Sequence, residues 1–186
     1  MHVLLSSLIL ICYNIILYAC VTSALTPLTD SNINAAADLW ISDEAQALET
    51  YGNIKNWDVS QVTSLSETFK GASHFNADLS KWDVSKVTKF DAMFRNTKSF
   101  NQNISSWKLL SAVFVRDMFR NAYEFNQDLS NWNLNNLNTN NLGGCCGFRS
   151  GSWANMKWTK AIPNFGTLIG GSTYYCGDIA YNGCQY

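Results

Sequence analysis

The chain has 186 residues, long enough for one domain with a sizeable core, a net charge of −1, and only 15% charged residues. That balance argues against a nucleic-acid binder, which would carry a basic stripe. Aromatic residues make up 13% of the chain, which argues against disorder, and surface polarity comes largely from Asn and Ser.

The N-terminus reads as a targeting segment. Val3 to Val21 is apolar apart from Ser6, Ser7 and Asn14, and Thr22-Ser23-Ala24 offers a small-residue cleavage site. Only His2 precedes the apolar run, so the basic n-region is missing. A cleaved secretory signal over residues 1–24 is the expectation. An uncleaved anchor competes with it, since the run approaches the ~20 residues a spanning helix needs. A lipoprotein signal at Leu17-Tyr18-Ala19-Cys20 is a third alternative.

Residues 25–53 read as a linker followed by a helical cap. Ile33, Ala36, Ala37 and Trp40 recur at helical spacing, with Asp30 or Ser31 available as N-cap. Ser42 is a second candidate cap, with Asp43 and Glu44 in the first turn, where the helix dipole favours acids. Ala45, Leu48 and Tyr51 share a face, and Gly52 is a natural stop.

Trp57, Trp82, Trp107 and Trp132 then recur at a step of 25 residues. Phe69, Phe94 and Phe119 keep that step, as do Phe75, Phe100 and Phe125, and Asn76, Asn101 and Asn126. Columns in phase mark a repeat array. The Trp-Asp-Val-Ser segments alternate apolar and polar, as a short strand does. Thr63 and Thr88 look like N-caps, and Leu65, Thr68 and Phe69 stand three and four apart, as on a helical face. Gly71, Asn96 and Asn121 suit left-handed backbone. The expected fold is therefore an α/β repeat solenoid over residues 54–142, with one short strand and one short helix per 25-residue repeat. The Asn column is expected to be a ladder bonding turn backbone. Asp58, Asp83, Asp78 and Asp128 are expected to cap turns, since Lys108, Asn133 and Asn103 interrupt their columns as a calcium ladder would not tolerate.

Residues 143–186 differ in composition. Cys145, Cys146, Cys176 and Cys184 are an even number in an exported chain, which favours two disulfides stapling a loop-rich C-terminal cap. A bond between adjacent cysteines strains the peptide, so Cys145 and Cys146 are each expected to pair with one of Cys176 and Cys184. Zinc is disfavoured by the absence of a C-x2-C pair and of any His nearby. Trp153, Trp158 and Phe165 suit the sealing of an open end.

The stretch from Asn56 to Trp107, with its units of the form W-D-V-S-x-V-T, M-F and F-N-x-D-L-S, resembles the BspA-like leucine-rich-repeat surface proteins. Trp40-Ile41-Ser42-Asp43 through Tyr51-Gly52-Asn53-Ile54 resembles the lead-in of that family. The resemblance runs from about Leu39 to Leu134. It implies a secreted or surface-displayed repeat protein associated with adhesion and with binding of host or matrix proteins, and no catalytic residues.

The expected function is therefore a protein- or glycan-binding adhesion module at the cell surface or outside the cell. The alternative is a structural wall component without a specific ligand. No enzyme motif, metal site or cofactor loop is present, and His74 is a lone turn histidine. Membrane contact is expected only if the N-terminal segment is uncleaved or lipidated. Asn103-Ile104-Ser105 is a glycosylation sequon. Recognition is expected at the irregular positions between the columns, such as Gln61, His74, Lys86, Lys98 and Tyr123, and in the tail.

Overall fold

A computed structural model describes residues 25–134, 136 and 137. Two helices open the described chain, α1 (Ile33–Ser42) and α2 (Glu44–Tyr51), followed by a 3-10 turn, Ile54–Asn56. α1 buries Ile33, Ala36 and Ala37, the expected spacing, and α2 buries Ala47 while Leu48 stays exposed. The caps differ from expectation. Asp43, not Ser42, caps α2 by accepting from the Gln46 N–H at 3.0 Å, while Ser42 ends α1 with its hydroxyl on the Asp38 carbonyl. Asn32 occupies the N-cap position of α1, but its side chain bonds backwards to Thr29 and Pro27.

The α/β repeat solenoid is not what the chain forms. Among the described residues there is no strand and no helix beyond those three elements; between repeats isolated parallel bridges occur, such as Ser64 with Lys89 and Lys89 with Phe114. Each repeat is instead a coil of consecutive turns laid on the next. The N–H groups of Leu65, Glu67, Phe69 and Gly71 donate to the carbonyls of Lys89, Asp91, Met93 and Arg95 at 2.8–3.0 Å. Phe90, Ala92, Phe94 and Asn96 repeat the pattern on Phe114, Arg116, Met118 and Arg120. The intervening Thr68, Lys70 and Ala72 donate three residues back within their own coil.

The expected helix fails for a specific reason. Glu67, Ala92 and Asp117 have φ of 63°, 53° and 52°, and Gly71, Asn96 and Asn121 have φ of 80°, 61° and 58°. A left-handed residue every fourth position ends any helix and turns alternate N–H groups out toward the neighbouring coil. Thr63 and Thr88 therefore cap no helix. The expected strand fails as well: Val62 and Val87 donate back to Val59 and Val84, closing turns where an extended segment would run.

The core follows the columns. Trp82, Trp107 and Trp132 stack on their predecessors at 6.0–6.5 Å with ring planes within 15°. Phe69, Phe94 and Phe119 form a second stack at 5.4–5.8 Å, and Phe75, Phe100 and Phe125 a third at 5.7–5.9 Å. Each buried aromatic contributes roughly 1.5–3 kcal/mol before entropy, and each favourable ring pair roughly 0.5–1.5 kcal/mol more. The indole N–H groups are satisfied as well: Trp82, Trp107 and Trp132 donate to the carbonyls of Ile54, Leu79 and Ile104 at 2.8–3.1 Å. Ile54 thus begins the column continued by Leu79, Ile104 and Leu129. Trp40 and Tyr51 meet the first indole, Trp57, edge-on and close the stack.

Polar groups at the first coil's open edge are met by the cap. The Asp30 carboxylate accepts from the Thr63 N–H, the Thr63 hydroxyl and the Ser64 N–H. Asn34 accepts from the Thr68 hydroxyl and donates to the Ser66 carbonyl.

Candidate functional site

The recurrent polar residues are occupied within the scaffold. The side-chain oxygen of Asn76 accepts from the Asn101 N–H at 2.9 Å, and that of Asn101 accepts from the Asn126 N–H at 2.8 Å. Gln102 and Gln127 donate to the carbonyls of Asn76 and Asn101. Asp58, Asp78, Asp83, Asn103 and Asp128 each accept from the N–H two residues on, the local turn that Asp and Asn favour. Hydrogen bonds from Ser60 and Ser85 hold the carboxyls of Asp58 and Asp83 below the usual range. The Lys55 ammonium, together with Ser80, does the same to Asp78.

The charged groups on the turn ladder pair with one another. Arg95 and Arg120 both reach the buried Asp117 carboxylate, at 3.2 and 3.3 Å, and Arg116 pairs with Asp91 at 2.8 Å. Arg116 also lies over the Phe114 ring, 5.5 Å from its centroid. This cluster of three arginines and two aspartates cross-links adjacent coils, and Arg95 Nε and Asp117 Oδ1 are buried in it without a hydrogen-bond partner among the described residues.

Among the described residues a groove lies where the helical cap meets the first repeat, with a volume of about 570 Å³, within the usual range for small-ligand sites. Trp40 and Ile41 at the end of α1 and Glu44 at the start of α2 form one wall. The turn from Gly71 to Ala77 forms the other. That turn carries Gly71, Ala72 and Ser73 where later repeats carry Asn96-Thr97-Lys98 and Asn121-Ala122-Tyr123, so the smaller side chains leave room. Phe75 is fixed by stacking on Phe69 at 4.0 Å and on Phe100 at 5.9 Å. Asn76 spends its oxygen on Asn101, leaving its amide group for the groove. Among the described residues no hydrogen bond engages the side chains of Glu44 or His74, and both are exposed.

Of the irregular positions expected to carry recognition, His74 lines this groove. Gln61, Lys86 and Lys98 are exposed and Tyr123 is half-buried, but none lines it. Asn103 is exposed, with its side-chain oxygen held by the Ser105 N–H and hydroxyl. The N-terminal segment and Cys145, Cys146, Cys176 and Cys184 lie outside the described residues. Sequence reasoning missed Trp40 and Glu44 as groove residues; nothing in their local pattern signals that they face a turn some thirty residues further on. Among the described residues no group of three or more His, Cys, Asp or Glu side chains is placed to hold a metal ion, and no helix is long and apolar enough to cross a membrane.

The stacked coils and their helical cap define a repeat protein whose columns are internal. Residues 41–143 match the family described as Mycoplasma protein of unknown function, DUF285, and the match covers more than half of the chain. The chain belongs to that family. Comparison with curated proteins and with solved structures returned no match.

Proposed function

We propose that this chain is an extracellular binding or adhesion module of the BspA-like type, displaying its ligand site at the junction of the helical cap and the first repeat. One observation carries this: the recurrent polar side chains are consumed by turns and ladders, whereas Glu44, His74 and the Asn76 amide converge on an open groove beside Trp40 with no partner among the described residues. The repeat motif and the apolar N-terminal segment support a secreted or surface location. The test is binding of the full chain to immobilised matrix proteins and glycans. Saturable binding that a Glu44→Ala, His74→Ala double variant loses is the expected result. Absence of saturable binding, with insoluble association with the cell wall in fractionation, favours a purely structural component instead.

A further inference from the structure

We infer that the groove binds a neutral pyranose sugar, either free or as the terminal unit of a glycan. The inference rests on the binding role proposed above and names its ligand class. A pyranose presents an apolar C–H face beside a ring of hydroxyls, so its site needs an aromatic surface next to side chains that donate and accept. Trp40 supplies the aromatic surface, and Glu44, His74 and the Asn76 amide supply acceptor and donor groups around it. The lining includes one carboxylate and no Lys or Arg, which disfavours an anionic ligand. Here the Phe75 N–H bonds the Ala72 carbonyl, the Ser73 carbonyl accepts from Ser99 and the Asn76 carbonyl from Gln102. Those groups are taken, and the side chains of Glu44, His74 and Asn76 are left to meet sugar hydroxyls.

The experiment is a titration of the full chain, followed by its Trp40 indole N–H resonance. The probes are the methyl glycosides of glucose, galactose, mannose and N-acetylglucosamine, with cellobiose as a disaccharide. At least one probe is expected to shift that resonance saturably. Glu44→Ala and His74→Ala are each expected to weaken binding roughly tenfold with an unchanged melting temperature, while Gln61→Ala leaves it unaltered. No saturable shift with any probe up to about 10 mM overturns the inference. So does binding that both groove variants retain. If sugars fail but matrix-protein binding persists and depends on Glu44, the ligand class is wrong and the binding module stands. If neither binds, both fall.

Discussion

Asp30 stands to Thr63 as Thr63 stands to Thr88. The Asp30 carboxylate accepts the Thr63 N–H at 2.7 Å, and the Thr63 carbonyl accepts the Thr88 N–H at 2.8 Å. The cap therefore supplies, from a side chain, the acceptor that a preceding coil would supply from its backbone. This is how the donors of Thr63 and Ser64 at the open edge of the first repeat are met. Asp30→Ala is expected to lower stability by about 1–2 kcal/mol, the usual cost of a lost capping acceptor. A urea titration measures it, and a midpoint equal to that of the wild type would assign the cap's effect to apolar packing alone.

Acid should loosen the fold through these turns. At Asp30 burial opposes the charged form, but hydrogen bonds from Thr63 and Ser64 outweigh it and lower the pKa from 3.8. Asp58, Asp83 and Asp78 are lowered too. A carboxyl with a depressed folded pKa is protonated first in the unfolded chain, so its contribution is complete above about pH 4 and disappears as the pH falls through the folded value. The melting temperature should therefore be insensitive to these carboxyls between pH 5 and pH 7, roughly, and fall below about pH 4. Asn103 makes the same turn as Asp78 and Asp128 without a charge. A Asp58→Asn, Asp83→Asn double variant should then match the wild type near pH 7 and lose less stability in acid.

Gly71 separates conformational strain from packing. Its φ is 80°, and a Cβ added there meets nothing within 4 Å. Gly71→Ala should cost about 1 kcal/mol purely from left-handed backbone. Gly71→Asn should cost less, because Asn96 and Asn121 occupy the equivalent turns at φ of 61° and 58°. Glu67→Gly should stabilise by about 0.5–1 kcal/mol, since it relieves φ of 63° and gives up only an exposed pair with Lys70. Thermal melts of the three variants give the order.

The aromatic stacks make the core sensitive at its centre. Phe94 is fully buried between Phe69 and Phe119 and also stacks on Phe100 at 4.1 Å. Phe94→Ala should cost about 3–5 kcal/mol, and in so small an array could unfold it. Trp107→Phe keeps much of the stacking area but removes the bond to the Leu79 carbonyl, which retains the Trp82 N–H. Its cost should be smaller, about 1–3 kcal/mol. Equal losses in the two variants would mean that the indole bond weighs as much as a whole stacked ring at the centre.

The columns were legible because burial recurs once per coil: the Trp, Phe and Leu or Ile positions that share a step of 25 residues are buried. The local conformation was not legible. Leu65, Thr68 and Phe69 stand three and four apart, a spacing that a helix and a run of turns both produce. The residues that decide between them are Glu67, Ala92 and Asp117, and of those types only Asp visits left-handed backbone readily, so the column as a whole does not announce it. Neighbouring coils impose it by taking the alternate N–H groups. Asn76, Asn101 and Asn126 form the ladder their recurrence suggested. The groove was half legible: His74 departs from its column, and so could be noticed, whereas Trp40 and Glu44 reach the groove through tertiary packing.

The division between an internal scaffold and a displayed groove is tested most directly by comparing two double variants of the full chain, each shown to melt with the wild type, on the same immobilised matrix and glycan panel. Glu44→Ala with His74→Ala should abolish saturable binding, and Gln61→Ala with Lys86→Ala should leave it intact. The reverse pattern, or binding indifferent to both, would contradict the assignment of recognition to the junction of cap and first repeat.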